Sequence, residues 1–512
     1  MALIIVHNNN KVISILDDNF KPLSNFELGK SVPKTLQLIA MQFDNQLVVW
    51  CHQFLLEYLN IEALKDIFHH NRVLASFNPT ETYYFPKQLG YIERSFVLKI
   101  NRTVTFPTWL MSSHVGGINT AVLMLLNKQL NFNQNADYFL TSLAKLTTSQ
   151  GLFCYSEPRL LRPEYIFEDN LKQASIYTLF KFVKLHYKWV WVFFLSLGLL
   201  VFEKKITLLP LIRSLFYKQL STTFNLEAIP IQSTRTVISK HEIDVIIPTI
   251  GRKQYLYDVL KDLAAQTLLP KNVIIVEQNP LEDSVSELDY LINRDWPFKI
   301  RHKFTQQLGV CNARNIALNK IESEWVFFAD DDIRFKTDFF EESLKKIEEY
   351  GISVLNYSCL QPEQNQTYFN MHQTTVFGSG SSMVKSSVIK GLSFNMAYEN
   401  GFGEDTEFGM QIRNTGHDVV FVPEIKIIHL KAPIGGYRTK VKHPWSEDNI
   451  LPKPSPTIQL LYQTYFTSEQ LLGYKLLLGL RSYKNSGIKN PWTYIIQYKK
   501  QWNRSLFWSN KL

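Results

Sequence analysis

Cysteine is scarce in this sequence and occurs in no pattern that binds zinc or forms a disulfide framework. The 512-residue chain has 4 cysteines, Cys51, Cys154, Cys311 and Cys359, and none of them belongs to a CxxC pair. Isolated cysteines are typical of proteins that fold in a reducing compartment. We therefore expect a cytoplasmic protein without structural zinc or disulfide bonds.

Long apolar segments are also missing. The apolar start Met1–Val6 gives way to polar sequence at His7, which is too early for a secretory signal, so no export is expected. The run Trp189–Phe202 is flanked by lysines and is shorter than the roughly 20 residues that span a bilayer. Three interpretations stay open for it: a buried helix, a helix in the membrane interface, and a membrane span.

Acidic residues are outnumbered, which limits the kinds of partner. Lysine and arginine number 55 against 46 acidic residues, a formal net charge of +9. This excess suits nucleic acid, an anionic membrane face or a phosphorylated substrate. No nucleic-acid-binding motif accompanies the charge, so we expect no nucleic-acid partner. The length exceeds what one hydrophobic core supports, and 45% hydrophobic residues are typical of globular proteins, so we expect several folded domains.

The second half of the chain has the pattern of an α/β fold. Ile243–Ile247 and Val273–Val276 are short apolar runs, typical of strands buried on both faces of a parallel sheet. Between them, residues 256–263 place apolar side chains on one helical stripe, which predicts a βαβ unit. A third predicted strand, Trp325–Ala329, belongs to the same sheet.

Three adjacent aspartates, Asp330–Asp332, follow that third strand directly. Ligands bind at the carboxyl ends of strands in open α/β sheets. The mutual repulsion of three carboxylates is tolerable when a cation lies among them, and their oxygens suit Mn²⁺ or Mg²⁺. Taken alone, such a turn is also compatible with a solvated loop or a helix cap.

Two further elements carry groups suited to chemistry. Glycines precede Glu404 and Asp405 at the start of a predicted helix, where a carboxylate either caps the helix or acts as a general base. His429 follows the predicted strand Ile425–Ile428, where it is either structural or a metal ligand.

In combination, these elements resemble family 2 glycosyltransferases with the GT-A fold. The resemblance covers about residues 240–435 and rests on several motifs in the family's order. They are Ile246-Ile247-Pro248-Thr249 with Arg252, Gln266-Thr267 and Pro270; Gly309 with Ala313-Arg314-Asn315-Ile316-Ala317; Asp330-Asp331-Asp332; Gly403-Glu404-Asp405-Thr406-Glu407; and His429. It implies a Rossmann-like mixed sheet flanked by helices.

The resemblance also implies where the donor binds. It assigns the nucleobase to the loop of Pro248, Thr249 and Arg252, and it places Arg314 towards the diphosphate. Glu277 stands where the family commonly has an aspartate pair. The resemblance therefore does not determine the nucleotide, and UDP is the first candidate.

The metal and the catalytic base are implied in the same way. Asp330 and Asp332 match the carboxylates that hold the donor ribose and the metal, with Asp331 close to the nucleotide. His429 matches a histidine that completes the metal or diphosphate site.

The acidic pair Glu404 and Asp405 matches the positions from which the catalytic base is drawn. The implied activity is a metal-dependent, inverting transfer of a sugar from a nucleotide-sugar donor to a glycan or lipid-linked acceptor. Cell-surface polysaccharide synthesis, with the protein in the cytoplasm at the inner face of the membrane, is the expected setting. A catalytically inactive, carbohydrate-binding or scaffolding relative is the alternative. A nucleotidyltransferase would normally bring a glycine-rich phosphate loop near its amino terminus, and the sequence has none.

The expected organisation has four segments: an amino-terminal α/β domain (1–160), a hydrophobic helical connector (161–240), the GT-A domain (241–445) and a proline-containing linker with a helical tail (446–512). The first segment is either a degenerate GT-A-like copy or an unrelated α/β domain. Its motifs that echo the second half are Ser112–Gly117, Asp137–Leu140, Gly151 and Glu157-Pro158.

Overall fold

A computed structural model describes residues 2–24, 26–167, 172–220, 224–433 and 442–512. The chain divides into two compact units. The first unit contains Met1–Arg235 and Tyr465–Ser482, and the second contains Thr236–Thr464 and Tyr483–Leu512. Parts of the segments expected from sequence, namely 168–171, 221–223 and 434–441, lie outside the described residues.

The first unit is built on a seven-stranded sheet, here called the first sheet, with spatial order β2-β1-β3-β6-β4-β7-β5. Strand β1 is parallel to β3, and β4 is parallel to β7, whereas β6 is antiparallel to both of its neighbours. The strands are β1 (Ala2–Asn8), β2 (Lys11–Leu16), β3 (Leu47–His52), β4 (Val73–Phe77), β5 (Phe106–Pro107), β6 (Val115–Asn119) and β7 (Phe153–Ser156).

Among the described residues of the first unit, seven α-helices precede Arg235. Helices α5 to α7 form a layer in which α5 packs on both α6 and α7. The bounds are α1 (Val32–Gln42), α2 (Leu64–Ile67), α3 (Thr120–Leu125), α4 (Ala136–Thr147), α5 (Ile176–His186), α6 (Val190–Glu203) and α7 (Leu208–Leu215). Among the described residues, none of the helices combines the length and apolarity needed to cross a membrane.

The second unit is built on a nine-stranded mixed sheet, here called the second sheet, with spatial order β10-β9-β8-β11-β15-β13-β16-β12 and β14 paired to β16. Strands β10, β9, β8 and β11 are mutually parallel, and β15 is antiparallel to β11 and β13. The strands are β8 (Ile243–Thr249), β9 (Asn272–Gln278), β10 (Lys299–Thr305), β11 (Trp325–Ala329), β12 (Ile333–Phe335), β13 (Val354–Leu360), β14 (His372–Thr374), β15 (Ser381–Lys385) and β16 (Val419–His429).

Helices cover this sheet, so the expected α/β class with a mixed sheet is confirmed. Strands β8, β9 and β11 are buried along their whole length. Each fully buried Val, Ile or Phe there contributes about 1.5–3 kcal/mol. The helices are α8 (Lys253–Ala264), α9 (Val310–Leu318), α10 (Phe339–Tyr350), α11 (Ser386–Ile389) and α12 (Glu404–Asn414).

The carboxyl-terminal segment is helical, as expected. It contains α13 (Pro456–Tyr465), α14 (Ser468–Tyr483) and α15 (Pro491–Ser509). Most of α14 belongs to the first unit, whereas α15 belongs to the second, so the segment does not form one separate tail.

The two sheets share a pattern of five strands. In the first sheet these strands lie side by side in the order β1-β3-β6-β4-β7, and in the second sheet in the order β8-β11-β15-β13-β16. Numbered one to five by their succession along the chain, the strands of both sets lie in the spatial order one, two, four, three, five. The relative directions of neighbouring strands also agree. In both sets the four successive strand pairs are parallel, antiparallel, antiparallel and parallel.

Candidate active site

The aspartate turn lies at the carboxyl edge of the second sheet because β11 runs parallel to β8, with Phe328 opposite Ile246. This register brings Asp331 beside the end of β8. Its Oδ2 accepts a hydrogen bond of 2.6 Å from Thr249 Oγ1, and its Oδ1 accepts one of 2.5 Å from Arg252 Nη1. Burial raises the pKa of Asp331 to about 6, although Arg252 and Thr249 oppose that rise.

Asp331 therefore fastens the loop after β8 to the aspartate turn. Thr249 and Arg252, both predicted to belong to the donor loop, lie at the site with it. Pro248 is buried within β8 opposite Val276, where it supports the loop.

Asp330, Asp332 and His429 form a second cluster at this edge. One ligand atom from each of the three lies within 4.8 Å of the others. The cluster forms because β12 pairs antiparallel with β16 and brings Ile333 opposite His429. His429 is the last residue of β16, not the residue after a strand, and β16 is longer than the predicted Ile425–Ile428.

The side chain of Asp332 has one oxygen in use and one available. Oδ2 accepts a hydrogen bond of 2.8 Å from the backbone amide of Ala432. Oδ1 is buried and accepts no hydrogen bond from the described residues, while His429 Nε2 lies 3.3 Å away. Burial by itself raises the pKa of Asp332, but His429, the Ala432 amide and Arg252 together lower it. The Asp332 carboxylate in turn raises the pKa of His429.

This donor set fits a divalent cation. Two carboxylates and an imidazole converge, and a buried carboxylate oxygen without a hydrogen bond loses free energy unless another group binds it. Oxygen-rich sites suit Mn²⁺ or Mg²⁺. The residues present therefore match the cofactor that the sequence predicted.

Gly380 allows the closest approach in the site. A Cβ atom added at this position would lie 2.2 Å from the Asp330 carboxyl group. Glycine at this position therefore provides the space that Asp330 occupies.

Arg314 faces the aspartates from α9. Its side chain is buried, Nη2 lies 3.6 Å from Asp330 Oδ1, and Nε and Nη1 make no hydrogen bond with the described residues. A buried guanidinium with unused donors is suited to bind phosphate oxygens. The role of Arg314 at the diphosphate stays a prediction.

The amino terminus of α9 holds a side chain that the sequence analysis missed. Glu399 accepts hydrogen bonds from the backbone amides of Cys311, at 3.2 Å, and Asn312, at 2.8 Å. Gly309 has φ 136°, and a Cβ there would lie 2.3 Å from the Glu399 carboxyl group. Glu399 therefore fixes α9, and with it Arg314.

The predicted base lies in the first turn of α12, after Gly403 with φ 109°. Asp405 Oδ1 accepts hydrogen bonds from the backbone amide of Ser379, at 3.3 Å, and from the Ser379 hydroxyl. Burial raises the pKa of Asp405, Arg314 opposes this rise, and Glu404 adds to it. The charge of Asp405 also raises the pKa of Asp330, so both carboxylate groups belong to one site.

Glu277 lies at the end of β9 opposite Thr249 and is buried. Its Oε2 is 2.9 Å from His302 Nε2, and its Oε1 accepts a hydrogen bond of 3.1 Å from the Glu287 amide. Burial raises the pKa of Glu277, but His302 and the other hydrogen bonds outweigh this effect and lower it. His302 was not singled out in the sequence, because β10 brings it to Glu277 only through strand pairing.

A cavity of about 260 Å³ opens next to the Ser379 turn. Gly378 and Ser381 lie on its wall beside residues of β13. The other lining residues are Asn356, Tyr357, Ser358, Cys359, Leu360, Gln366, Thr367, Tyr368, Val376 and Phe421.

Comparison with known proteins identifies similar sequences. The model of "Glycosyl transferase family 2" matches residues 244–410. Glycosyltransferase GlyA of Streptococcus pneumoniae serotype 4 is 28% identical over 138 residues, which are 25% of this chain and 19% of that protein. An uncharacterized glycosyltransferase of Haemophilus influenzae is 30% identical over 107 residues, 21% of this chain and 35% of that protein. The matched segments thus span about a fifth and about a third of these two relatives.

Among solved structures, the crystal structure of S. aureus TarS 1-349 in complex with UDP-GlcNAc is 16% identical, with a TM-score of 0.36. That alignment covers 52% of this chain and 79% of the TarS chain.

Proposed function

We propose that this chain transfers a sugar from a nucleotide-sugar donor to a glycan or lipid-linked acceptor with the help of Mn²⁺ or Mg²⁺. The match of residues 244–410 to the model of glycosyl transferase family 2 supports this. One observation carries the proposal. The possible cation ligands Asp330, Asp332 and His429 and the unused guanidinium donors of Arg314 converge at one sheet edge. A cation and an arginine together are what a diphosphate leaving group requires.

The donor would extend along this edge. Thr249, Arg252 and Asp331 border the nucleoside part, and Arg314 donates from Nε and Nη1 to diphosphate oxygens. A cation bound by the Asp330 cluster would stabilise the negative charge that builds on the departing diphosphate. The pair of Glu277 with His302 provides hydrogen-bonding groups for the base, with UDP as the first nucleotide to test.

Asp405 is suited to be the base. The acceptor hydroxyl oxygen forms a bond to the anomeric carbon while the bond from that carbon to the diphosphate oxygen breaks. The hydroxyl proton passes to Asp405, whose carboxylate Ser379 orients. Attack from the face opposite the leaving group inverts the anomeric carbon. The cavity beside Gly378 and Ser381 is the proposed acceptor side.

We further assign a membrane contact to α6 and α7, in keeping with synthesis of a cell-surface polysaccharide. The buried side of α6 contains Val192, Leu195 and Leu199. In and just after α7, by contrast, the side chain of Leu209 is 70% exposed to solvent and that of Phe216 is 85% exposed. The exposed large apolar residues of α6, α7 and their flanking positions, here called the apolar face, are Trp189, Val190, Phe193, Leu200, Val201, Ile206, Leu208, Leu209, Ile212, Leu215 and Phe216.

Exposed basic residues lie next to these apolar residues along the chain, namely Lys188, Lys204, Lys205, Arg213 and Lys218. An apolar face with a basic border matches an anionic membrane surface, where each basic residue contributes about 1 kcal/mol. Flotation with vesicles of phosphatidylcholine and phosphatidylglycerol tests this contact. Wild type should float, and Leu209→Asp with Phe216→Asp should not; flotation of both would contradict it. Met41→Asp, at an exposed position on α1, is the control.

The catalytic proposal is tested with a panel of UDP-, GDP- and dTDP-sugars in the presence of Mn²⁺ or Mg²⁺. We expect hydrolysis of one donor class that stops on chelation and in Asp332→Ala. Asp258→Asn, a carboxylate change at a half-buried position of α8 that pairs with Lys261, should retain full activity. Absence of hydrolysis with every donor and metal, together with no donor binding, would instead support an inactive carbohydrate-binding relative.

A further inference from the structure

The first sheet can be aligned with the second residue by residue, because the central antiparallel pairs have the same register. The positions of Asp330–Asp332 are thereby occupied in the first unit by His52–Phe54. The corresponding pairs are Cys51 with Val115 in the first sheet and Ala329 with Ser381 in the second.

The correspondence includes a side-chain contact outside the strands. Ser113 donates from its amide to Asp137 Oδ1, at 2.8 Å, and from its hydroxyl to Oδ2, at 2.9 Å. Ser379 donates from the same two groups to Asp405. Both serines lie two residues before the antiparallel strand, and both aspartates lie in the first turn of the next long helix, α4 or α12. The resemblance of the two units therefore extends to how this helix is attached.

The two units differ in the elements and side chains that could bind a nucleotide. Between β8 and β11 the second unit has β9, β10, α8 and α9, whereas between β1 and β3 the described part of the first unit has only β2 and α1. The elements that carry Glu277 and Arg314 thus have no equivalent there. At the positions of the three aspartates, His52, Gln53 and Phe54 have no carboxylate. This edge of the first sheet cannot hold a metal diphosphate in the manner of the second.

A large cavity nevertheless opens at this edge. It measures about 810 Å³ and is lined by Gln53 and Phe54, the residues at the positions of Asp331 and Asp332. This volume falls in the range of about 300–1,000 Å³ that is usual for ligand sites. The remaining lining residues are Phe20, Leu56, Glu57, Leu59, Arg162, Ile166 and Phe167.

The lining combines aromatic surface with hydrogen-bonding groups. Phe54 is 64% exposed and Phe20 is 43% exposed, so their rings are available to a ligand. The side chain of Gln53 is half-buried and that of Arg162 is exposed. Among the described lining residues there is one acid, Glu57, and one base, Arg162, so these residues together have no net charge.

We propose that the first unit is a metal-free copy of the GT-A fold and that its 810 Å³ cavity binds a neutral oligosaccharide, the glycan on which the second unit acts. A sugar ring offers apolar C–H faces to aromatic rings and hydroxyls to amide, carboxylate and guanidinium groups, which are the groups present. The absence of net charge favours a neutral glycan over an anionic one. The statement that this glycan is the acceptor rests on the proposed function. The binding of the glycan to the first unit does not depend on that function.

The test is a glycan array of neutral and anionic oligosaccharides probed with the full chain in EDTA. We expect binding to a subset of the neutral glycans, at least tenfold weaker in Phe54→Ala and Arg162→Ala. Met41→Ala, an exposed position on α1 of the same unit, and Asp332→Ala should bind as wild type does. The exposure of Phe54 makes folded variants attainable, and circular dichroism checks this.

Two results would overturn the proposal: no neutral glycan bound by wild type, or binding that Asp332→Ala abolishes and Phe54→Ala leaves intact. Donor hydrolysis by the same protein preparations, assayed with Mn²⁺ or Mg²⁺ in place of EDTA, reports on the second unit separately. Hydrolysis without glycan binding contradicts this inference alone, and glycan binding without hydrolysis contradicts the catalytic proposal alone.

Discussion

The two units share an arrangement of strands but differ in the residues that follow the ends of those strands. Both sheets have five strands in the same order and directions, and both hold an aspartate against a serine at the start of a long helix. In one unit β11 ends at Ala329 and is followed by Asp330–Asp332. In the other, β3 ends at His52 and is followed by Gln53 and Phe54. A shared strand framework therefore leaves the chemistry to a few residues at strand ends and to the elements inserted between strands.

The sharpest comparison is between the two serine-bound aspartates. Asp405→Asn should lower the rate of sugar transfer by about 10²–10⁴-fold, because an amide cannot take the acceptor proton. Asp137→Asn should leave the turnover number within about twofold of wild type, since Asp137 is buried in the unit without the cation ligands. Steady-state kinetics with donor and acceptor measures both. Equal losses in the two variants would refute the division of roles.

The next effect concerns the elements present in only one unit. Arg314→Ala should reduce kcat/KM for the donor about 100-fold, because a buried donor to the leaving group is lost. Arg314→Lys should recover part of this, since a lysine retains the charge but not the planar arrangement of donors. Competition binding of a nucleoside diphosphate provides the second measurement. Unchanged affinity in Arg314→Ala would remove this residue from the diphosphate site.

A third comparison separates the stabilities of the units. Glu93 is buried in the first unit and accepts hydrogen bonds of 2.8 Å from Lys145 and 2.5 Å from Tyr187. Burial raises the pKa of Glu93, but Lys145, Tyr187 and the Ser95 amide outweigh this and lower it from 4.5 to about 2. Because the pKa is lower in the folded state, the stabilisation is present above about pH 4.5 and disappears as the pH falls towards 2.

Glu93→Gln should therefore destabilise the first unit at pH 7 by about 3 kcal/mol, the usual order for breaking a buried ion pair. Thermal unfolding followed from pH 7 to pH 3 measures it, and the difference from wild type should shrink at low pH. Glu62→Gln, on the surface, is the control. Donor hydrolysis below the unfolding transition should stay at the wild-type level; its loss would mean that the two units do not act separately.

The smallest expected effect is on the pH profile. Asp405 must be deprotonated to act, so the rate rises with pH through its pKa. Burial and Glu404 raise the pKa of Asp405, which moves the acid limb above the ordinary aspartate range near 3.9. Ser379→Ala removes the hydroxyl hydrogen bond that lowers this pKa, while the bond from the backbone amide remains, and it should move the limb further up. Ser113→Ala, the matched change in the first unit, should not move it, and a shift in both variants would contradict the assignment.

The parts of the site that the sequence predicted are those whose position follows from strand ends. Trp325–Ala329 is the strand that its apolar run indicated, and its end brings Asp330–Asp332 to the sheet edge. The helix predicted around 256–263 is present as α8, with its apolar stripe buried. Such features are local, so one stretch of sequence contains the whole signal.

The parts that the sequence did not predict depend on contacts between distant segments. Glu399 reaches the amides of α9, and His302 reaches Glu277 across a strand pair. Neither contact has a periodic pattern. The similarity of the two units gave only a weak signal in the sequence. It lies in the strand order and register, which depend on backbone pairing, and many different side chains are compatible with the same pairing.

The central claim is that the second unit alone has a donor site, and nucleoside diphosphate binding tests it most directly. Isothermal titration calorimetry with UDP and Mn²⁺ should give one site per chain in wild type and in Phe54→Ala, and no binding in Asp332→Ala; GDP and dTDP cover the other donor classes. Two sites per chain, or one site that survives in Asp332→Ala, would contradict the account.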